Sequence, residues 1–534
     1  VYSNCQEVEL FLNGESLGKR KRNSQDFPAA GLRWMVEFKT GENKLKAIGY
    51  KDGQAVQDML IQEYQTERWG KPVRVALTVL EQQQDTLLLQ AQLFDENGVR
   101  CLDARDYINF SAVGEGELLV DQGTSDGSRR VQAHNGRALV RLVRTGKNVV
   151  VTAQADGLNT FILNLSLTAT DVKAEVSRRI KVGVLKEAEE ALALPPLTVT
   201  SSVCPRSAGG KHDFYSEGDY WWPDAKNPEG PYIRKDGLSN PENFVDHRNL
   251  VMRLGDILGT LVSAWKLTHD TRYLDASLNH VEAWFINSET KMNPSLEYAQ
   301  AIKGIATGRG IGIIDGIHLV EVARALQVLH SAHELPSEIY AGTKSWFSAY
   351  LGWITTHSYG LKERDTKNNH AACWVLQVAA FAQYVGDEAL LDFAAARYKT
   401  VLLPHQMADD GSFPLELERT KPYGYSLFNL DIFSGLNYIL KDHKPNLPSV
   451  RIGEKSLKKG IQFMVPYVED KSTWPYGDDV MYWNNWPIAH PFLLLGSVMF
   501  EQPQWLQLWN RLPLDYSEPE VKRNSPIRHP LLWM

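Results

Sequence analysis

The segment DHRNLVMRLGDILGTLVSAWKLT, residues 246–268, sets Leu250, Leu254, Leu258, Leu261 and Trp265 three or four positions apart. That spacing lines them up on one stripe of an α-helix, because 3.6 residues complete a turn. The same period returns in 271–286, 316–332, 338–356, 370–385 and 388–403. Asp270 and Asp387 stand in short turns between neighbouring segments, which favours antiparallel helical hairpins. A long succession of such hairpins predicts an α/α toroid, an incomplete α/α barrel whose interhelical loops line a cleft at one end.

Just before the first helix lies AGGKHDFYSEGDYWWPDAKNPEGPYIRKDG, residues 208–237. Its Gly and Pro residues break any regular period, yet it carries Phe214, Tyr215, Tyr220, Trp221, Trp222 and Tyr232. Pyranose rings pack their apolar faces on Trp and Tyr, while hydroxyls and carboxylates need donors such as His212, Arg234 and Lys235. The same aromatics would equally serve to pin a long surface loop to the core. Of the 15 tryptophans, only Trp34 and Trp69 precede residue 200. Most of the others suit a helical core, with Trp221, Trp222, Trp474, Trp483 and Trp486 the better candidates for sugar stacking.

Upstream the period changes from 3.6 to two. EVELFLNG alternates and ends in the turn Asn13-Gly14, with RWMVEF and LKAIGY as further strands, so residues 1–66 read as one small β module. Residues 67–170 read as a second, through VRVALTVL, LLLQAQLFD, INFSAV, RALVRLV and NVVVTAQA. Short strands at this spacing suggest immunoglobulin-like β-sandwiches. Residues 171–204, ending beyond Pro195-Pro196, read as a linker, and 205–534 as the toroid domain.

A chain of 534 residues suits several domains, and its 23% charged residues are ordinary for a folded globular protein. The formal charge of −7 argues against nucleic acid, which selects a basic face. No apolar run is long enough to span a membrane as a helix. Cys5, Cys101, Cys204 and Cys373 are too scattered for a zinc site and leave the redox compartment open. The chain opens inside what reads as a strand, so Val1 is expected not to be the natural start.

The chemistry concentrates late in the chain. TGRGIGIID, 307–315, lacks the βαβ context of a dinucleotide loop, so its glycines are expected to allow close backbone approach while Arg309 faces an acidic ligand. Asn368-Asn369-His370 opens a predicted helix, where an Asn would also serve as a cap. Arg419, Tyr423 and Tyr425 follow about fifty residues later in an interhelical loop. Amide, imidazole, guanidinium and phenol on one rim suit β-elimination from a uronate. The C5 proton lies beside an ionised carboxylate, whose charge must be offset before the proton can leave. Asn369, His370 and Arg419 are candidates for that task; the base is His370 or a tyrosine whose phenolate is favoured by Arg419, and an acid protonates the departing O4.

Two resemblances add to this reading. SNCQEVELFLNGESLG, with QLFDENG, GEGELL and AQADGL, resembles the C-terminal β-sandwich modules of family 2 glycoside hydrolases of the β-galactosidase type. In that family the catalytic carboxylates belong to a separate barrel, so no hydrolase residues carry over.

AGGKHDFYSEGDYWWPD, GPYIRKDGLSNPENF, MNPSLEYAQAIKGIATGRGIGIID, KNNHAACW and FPLELERTKPYGYSLFNLD resemble the alginate lyase superfamily, polysaccharide lyase family 5 and its relatives. That resemblance implies an α/α toroid cleaving a polyuronate, such as alginate or glucuronan, into 4,5-unsaturated ends, with no cofactor or required metal. It implies catalytic roles for Asn369, His370, Arg419 and Tyr425. The Arg-to-Tyr spacing is six where the family has seven, so Tyr423 stays an alternative. His212, Tyr215, Tyr220, Trp221, Arg234, Arg309 and Tyr423 are carried as substrate-binding candidates. An acidic polysaccharide is the implied partner, and a periplasmic or secreted location is implied too; oligomeric state is left open. The rival expectations are a toroid glycosidase using a pair from Asp219, Asp236, Asp478 and Asp479, and a non-catalytic glycan-binding part of a family 2 hydrolase.

Overall fold

The computed structural model describes residues 1–21, 31–64, 68–83, 86–119, 129–165, 169–227 and 229–534. The expected boundary between residues 66 and 67 lies outside them. Contacts divide the chain into two units, Val1–Leu165 and Ser166–Met534.

The first unit is antiparallel β. Strands β1 (Glu7–Leu12), β2 (Glu15–Lys21), β3 (Gly41–Lys51) and β4 (Gln54–Tyr64) form one sheet in the order β2-β1-β3-β4. Asn13 and Gly14 both take positive φ, which the tight β1–β2 turn requires. A second sheet contains β5 (Arg74–Gln83), β6 (Thr86–Phe94), β7 (Tyr107–Leu118), β8 (Arg130–Gln132), β9 (Arg137–Ala155) and β10 (Phe161–Asn164). The long strand β9 makes this module a sandwich. Its first half, from Arg137 to Val143, pairs with β6, and its second half pairs with both β7 and β10. Alternating side chains of β6 and β9, including Leu87, Leu89, Val140 and Val151, fill the space between layers.

The second unit is helical. Residues 171–204, expected as a linker, instead contribute α1 (Ala169–Ala191), which packs on α2 (Asp246–Thr268). Val172, Val176, Ile180 and Ala188 of α1 recur at steps of four or eight and are buried. That apolar stripe holds the helix against its neighbour despite the charged residues between.

After α1 come the short strands β11 (Tyr215–Glu217), β12 (Trp221–Trp222) and β13 (Ile233–Arg234). Helix α3 (Thr271–Phe285) follows α2, then β14 (Tyr298–Ala301), a 3₁₀ segment Gly310–His318, α4 (Leu319–Ser331), α5 (Ser337–Thr356), α6 (Ser358–Arg364) and α7 (Asn369–Val385). The remainder is α8 (Glu388–Arg397), α9 (Leu403–Gln406), α10 (Pro414–Leu417), α11 (Pro422–Leu440), α12 (Leu457–Glu469), α13 (Pro491–Met499), α14 (Pro503–Arg511) and α15 (Pro519–Arg523).

The turns between helices follow capping chemistry. His269 ends α2 in the left-handed conformation, and the Asp270 carboxylate accepts from the Arg272 amide to start α3. Gly386 ends α7 at φ 79°, and Asp387 caps α8 through the Leu390 amide. Every residue of α11 is buried, as are nearly all of α7, and the two helices pack together at the centre of the unit. A helix apolar on all sides belongs in the middle of such a bundle. The result is the expected α/α toroid, and the loops at one end of its helices carry the residues described next.

Candidate active site

A cavity of about 240 Å³ opens where the 218–240 loop, the 3₁₀ segment, the start of α7, the α10–α11 loop and α15 converge. Asn369, His370, Arg419 and Tyr425 all line it, although they come from segments about fifty residues apart. Tyr220, Trp221, Arg234 and Arg309 line it as well.

Each of these side chains is held from behind. Asn368 occupies the N-cap position of α7 but makes no capping bond with its side chain. The buried carboxylate of Glu416, on α10, takes over by accepting the Asn369 backbone amide at 2.7 Å. Asn369 itself is 3% exposed and its Oδ1 is buried without a partner. His370 Nδ1 lies 2.6 Å from Oε1 of Glu363, a residue of α6 that is 1% exposed. That contact leaves the other ring nitrogen of His370 for the cavity.

Tyr425 is fixed by the start of its helix. Pro422 opens α11, and Asp479 accepts from the amides of Tyr423 and Gly424, each at 2.9 Å. The Tyr425 hydroxyl then lies 2.7 Å from that of Tyr220 and 3.4 Å from Nη2 of Arg419, whose guanidinium sits over the phenol ring. Burial pushes the Tyr425 phenol well above its usual pKa, and Tyr220 adds to the rise while Arg419 opposes it. Arg419, and Lys421 at 5.4 Å from the ring centroid, therefore do not bring the phenol below its usual range, because desolvation outweighs them.

Arg419 also reaches Asp236 of the loop, at 3.2 Å from Nη2, and Asp236 in turn takes Arg234 at 2.6 Å. The hairpin β12–β13 pairs Trp221 with Arg234 and turns both toward the cavity. The glycines around Arg309 do allow close approach. A Cβ on Gly308 would collide with the Glu297 carbonyl oxygen, and one on Gly312 would stand 2.6 Å from the Ala299 backbone. This packing lets the Arg309 guanidinium donate to the Gln300 carbonyl at 2.7 Å while facing the cavity.

Beneath lies a buried ionic network. Arg248 grips Asp219 with two bonds of 2.7 and 2.8 Å, Arg523 bridges Asp219 and Glu520, and Lys421 donates to Glu520 at 2.7 Å. Burial works against the charges on both acids. Arg248 and Arg523 nevertheless hold Asp219 well below the usual carboxylate range, and Arg523 and Lys421 hold Glu520 at about 2.

Three expected binding residues lie elsewhere. Tyr215 is buried beside Phe244, and its hydroxyl donates to Glu217 at 3.0 Å. Tyr423 is fully buried, donates to the Tyr467 carbonyl at 3.0 Å and packs against Trp474 and Trp483. His212 is tied to the Lys291 carbonyl at 2.7 Å. Trp474, Trp483 and Trp486 likewise belong to packing, not to the cavity. The acids of the rival glycosidase reading form no free pair: Asp219 and Asp236 are bound by arginines, Asp479 caps α11, and Asp478 is exposed off the cavity. Among the described residues no group of three or more His, Cys, Asp and Glu side chains is placed to hold a metal ion.

Glu363, Glu416 and the Asp219 network were not found from sequence. Glu363 sits in the charged run LKERDTKNN, which reads as a solvated face until α6 folds against α7.

Known proteins resemble this chain in two separate parts. The family model described as Alginate lyase matches residues 198–474. A solved alginate lyase from Bacteroides ovatus superposes with a TM-score of 0.58 at 28% identity, covering 69% of this chain and 98% of that one. Residues 1–57 match a domain of unknown function, DUF4982, and residues 76–163 match glycoside hydrolase family 2 C-terminal domain 5. A protein of Formosa agariphila, called a beta-glucuronidase by name only, is 45% identical over 152 residues, 28% of this chain and 18% of its own length. Beta-galactosidase BoGH2A of Bacteroides ovatus is 30% identical over 178 residues, 31% of this chain and 20% of its own. The chain thus spans about a fifth of the length of these curated relatives. The alginate lyase model covers more than half of the sequence, and the chain belongs to the alginate lyase family.

Proposed function

We propose that the helical unit is a polysaccharide lyase that cuts a polyuronate, alginate or a glucuronan-like polymer, by β-elimination. The observation that carries this reading is the Tyr425 hydroxyl, held between Arg419 and Tyr220 in the same cavity as Asn369 and His370. In this mechanism Asn369 and Arg419 bind the uronate carboxylate and offset the charge that grows as C5 loses its proton. His370 removes that proton, and the electron pair forms the C4–C5 double bond. The C4–O4 bond breaks, and the neutral phenol of Tyr425 protonates the departing oxygen. Trp221 and Tyr220 offer ring faces to neighbouring sugars, and Arg309 and Arg234 attract further carboxylates.

The likeness of the β modules to a protein called a beta-glucuronidase makes a glucuronate polymer as worthwhile a substrate to test as alginate. A polymer too large to enter a bacterial cell is cut in the periplasm or outside, and that is where this reading puts the enzyme. The test is incubation with alginate and with glucuronan while following the near-ultraviolet absorbance of the new double bond. A rise that is lost in Tyr425→Phe is expected; no rise on any polyuronate would sink the proposal, and reducing ends without absorbance would mark a hydrolase.

A further inference from the structure

We infer that Glu363 is a positioning residue that fixes the tautomer of His370, holding its proton on Nδ1 so that Nε2 presents a lone pair to the cavity. The inference rests on the β-elimination reading for its kinetic consequence but not for its geometry. Glu363 and His370 are seven residues apart, on α6 and on the first turn of α7, and the 365–368 turn between them brings the carboxylate behind the imidazole. Oε1 of Glu363 lies 2.6 Å from Nδ1, and its Oε2 is buried with no hydrogen-bond partner. An acid that is 1% exposed and has one bonded oxygen depends on that single N–H. Were Nδ1 unprotonated, two acceptors would face each other inside the protein. The proton therefore belongs on Nδ1, and the nitrogen left for substrate is a base.

The same carboxylate would then stabilise the imidazolium formed when His370 takes the C5 proton. A neutral neighbour would not, because an added charge in a dry site needs an opposite charge close by. Other charged groups facing this position are Glu416 from α10 and, on the cavity side, Arg309 and Arg419. Glu416 is kept from matching Glu363, since burial raises its pKa and its Oε1 is occupied by the Asn369 amide.

The test has two arms. Glu363→Gln keeps the shape but removes the charge, and its amide can donate to Nδ1 as well as accept from it, so the proton is no longer held on Nδ1 alone. Turnover on the polyuronate is expected to fall at least 100-fold with KM changed less than threefold, and Glu363→Asp to recover part of it. In a His370→Ala background the Glu363→Gln change is expected to cost nothing more, which a merely structural role would not produce. The second arm needs no activity. Magic-angle-spinning spectra of protein labelled with ¹⁵N-histidine, with His370→Gln as the subtraction control, are expected to show His370 protonated at Nδ1 in the wild type and a larger share protonated at Nε2 in Glu363→Gln. A wild-type proton on Nε2, or a Glu363→Gln enzyme with full turnover, overturns the inference. Absence of any turnover by the wild type overturns the lyase reading instead, and the tautomer then stands or falls on the spectra.

Discussion

The aromatic stretch around Tyr220 and Trp221 and the one from Trp474 to Trp486 are alike in composition, but only the first opens onto the cleft. In the first, the ring-bearing residues alternate with groups that reach other elements: Tyr220 meets Tyr425, and Asp236 meets Arg419. In the second, the rings meet one another. Trp474 packs edge-on against Tyr423, Tyr467 and Tyr476, with centroids 5.0 to 5.1 Å apart, and its indole N–H donates to the Gly477 carbonyl. Aromatic density is thus common to both stretches, and convergence with charged groups from distant elements is what separates the first from the second.

That contrast can be broken or sharpened by substitution. The largest effect is expected from Tyr425→Phe, which removes the proposed acid. Turnover should drop about 10³-fold, roughly 4 kcal/mol of barrier, while stability falls by only about 1 kcal/mol through the lost bond to Tyr220. A mutant that keeps more than a tenth of wild-type turnover would remove Tyr425 from the mechanism. Next, Trp474→Ala should lose about 3–5 kcal/mol of stability in urea titrations, as large buried rings do, while the folded fraction keeps its KM.

Acid is the third probe, acting on the network beneath the cleft. Glu520 has its pKa lowered to about 2 in the fold. Below about pH 4.5 the unfolded chain binds the proton that the folded one refuses. The stability from this group is thus present above about pH 4.5 and lost as pH falls through about 2, a change on the order of 3 kcal/mol. Glu520→Gln should flatten that part of the stability profile, and an unchanged profile would refute the assignment.

Smaller effects separate the two stretches most finely. Trp221→Ala should raise KM about tenfold, near 1.4 kcal/mol, with little change in turnover. Tyr423→Phe should lower stability by about 1 kcal/mol through the lost bond to the Tyr467 carbonyl, and leave kinetics alone. If Tyr423→Phe abolished turnover and Tyr425→Phe did not, the roles assigned to the two tyrosines would be exchanged.

Much of this was legible before any coordinates. The helical period and the turns at Asp270 and Asp387 rest on local chemistry that a sequence carries, while the grouping of Asn369, His370 and Arg419 is carried by the family resemblance. The choice between Tyr423 and Tyr425 does not. Two residues along a helix are about 200° apart, so one must face the cavity and the other the core, and nothing local says which. Tyr215 and Trp474 misled for the same reason, since a ring suited to stacking on sugar is equally suited to stacking on protein. Helix α1 was missed because charged residues surround its apolar stripe, and Glu363 because its burial depends on a neighbour that packs over it.

The contact between Asp236 and Arg419 has a consequence for how a polyanion would be received. The guanidinium assigned to the substrate carboxylate already has a protein carboxylate as its guest. Binding is then an exchange of one anion for another, not the filling of an unpaired cation. Asp236 stays on the protein, so the incoming carboxylate competes with it for one guanidinium, and Asp236→Asn should lower KM. The released Asp236, still paired with Arg234, would carry the news of occupancy back to the loop that holds Trp221.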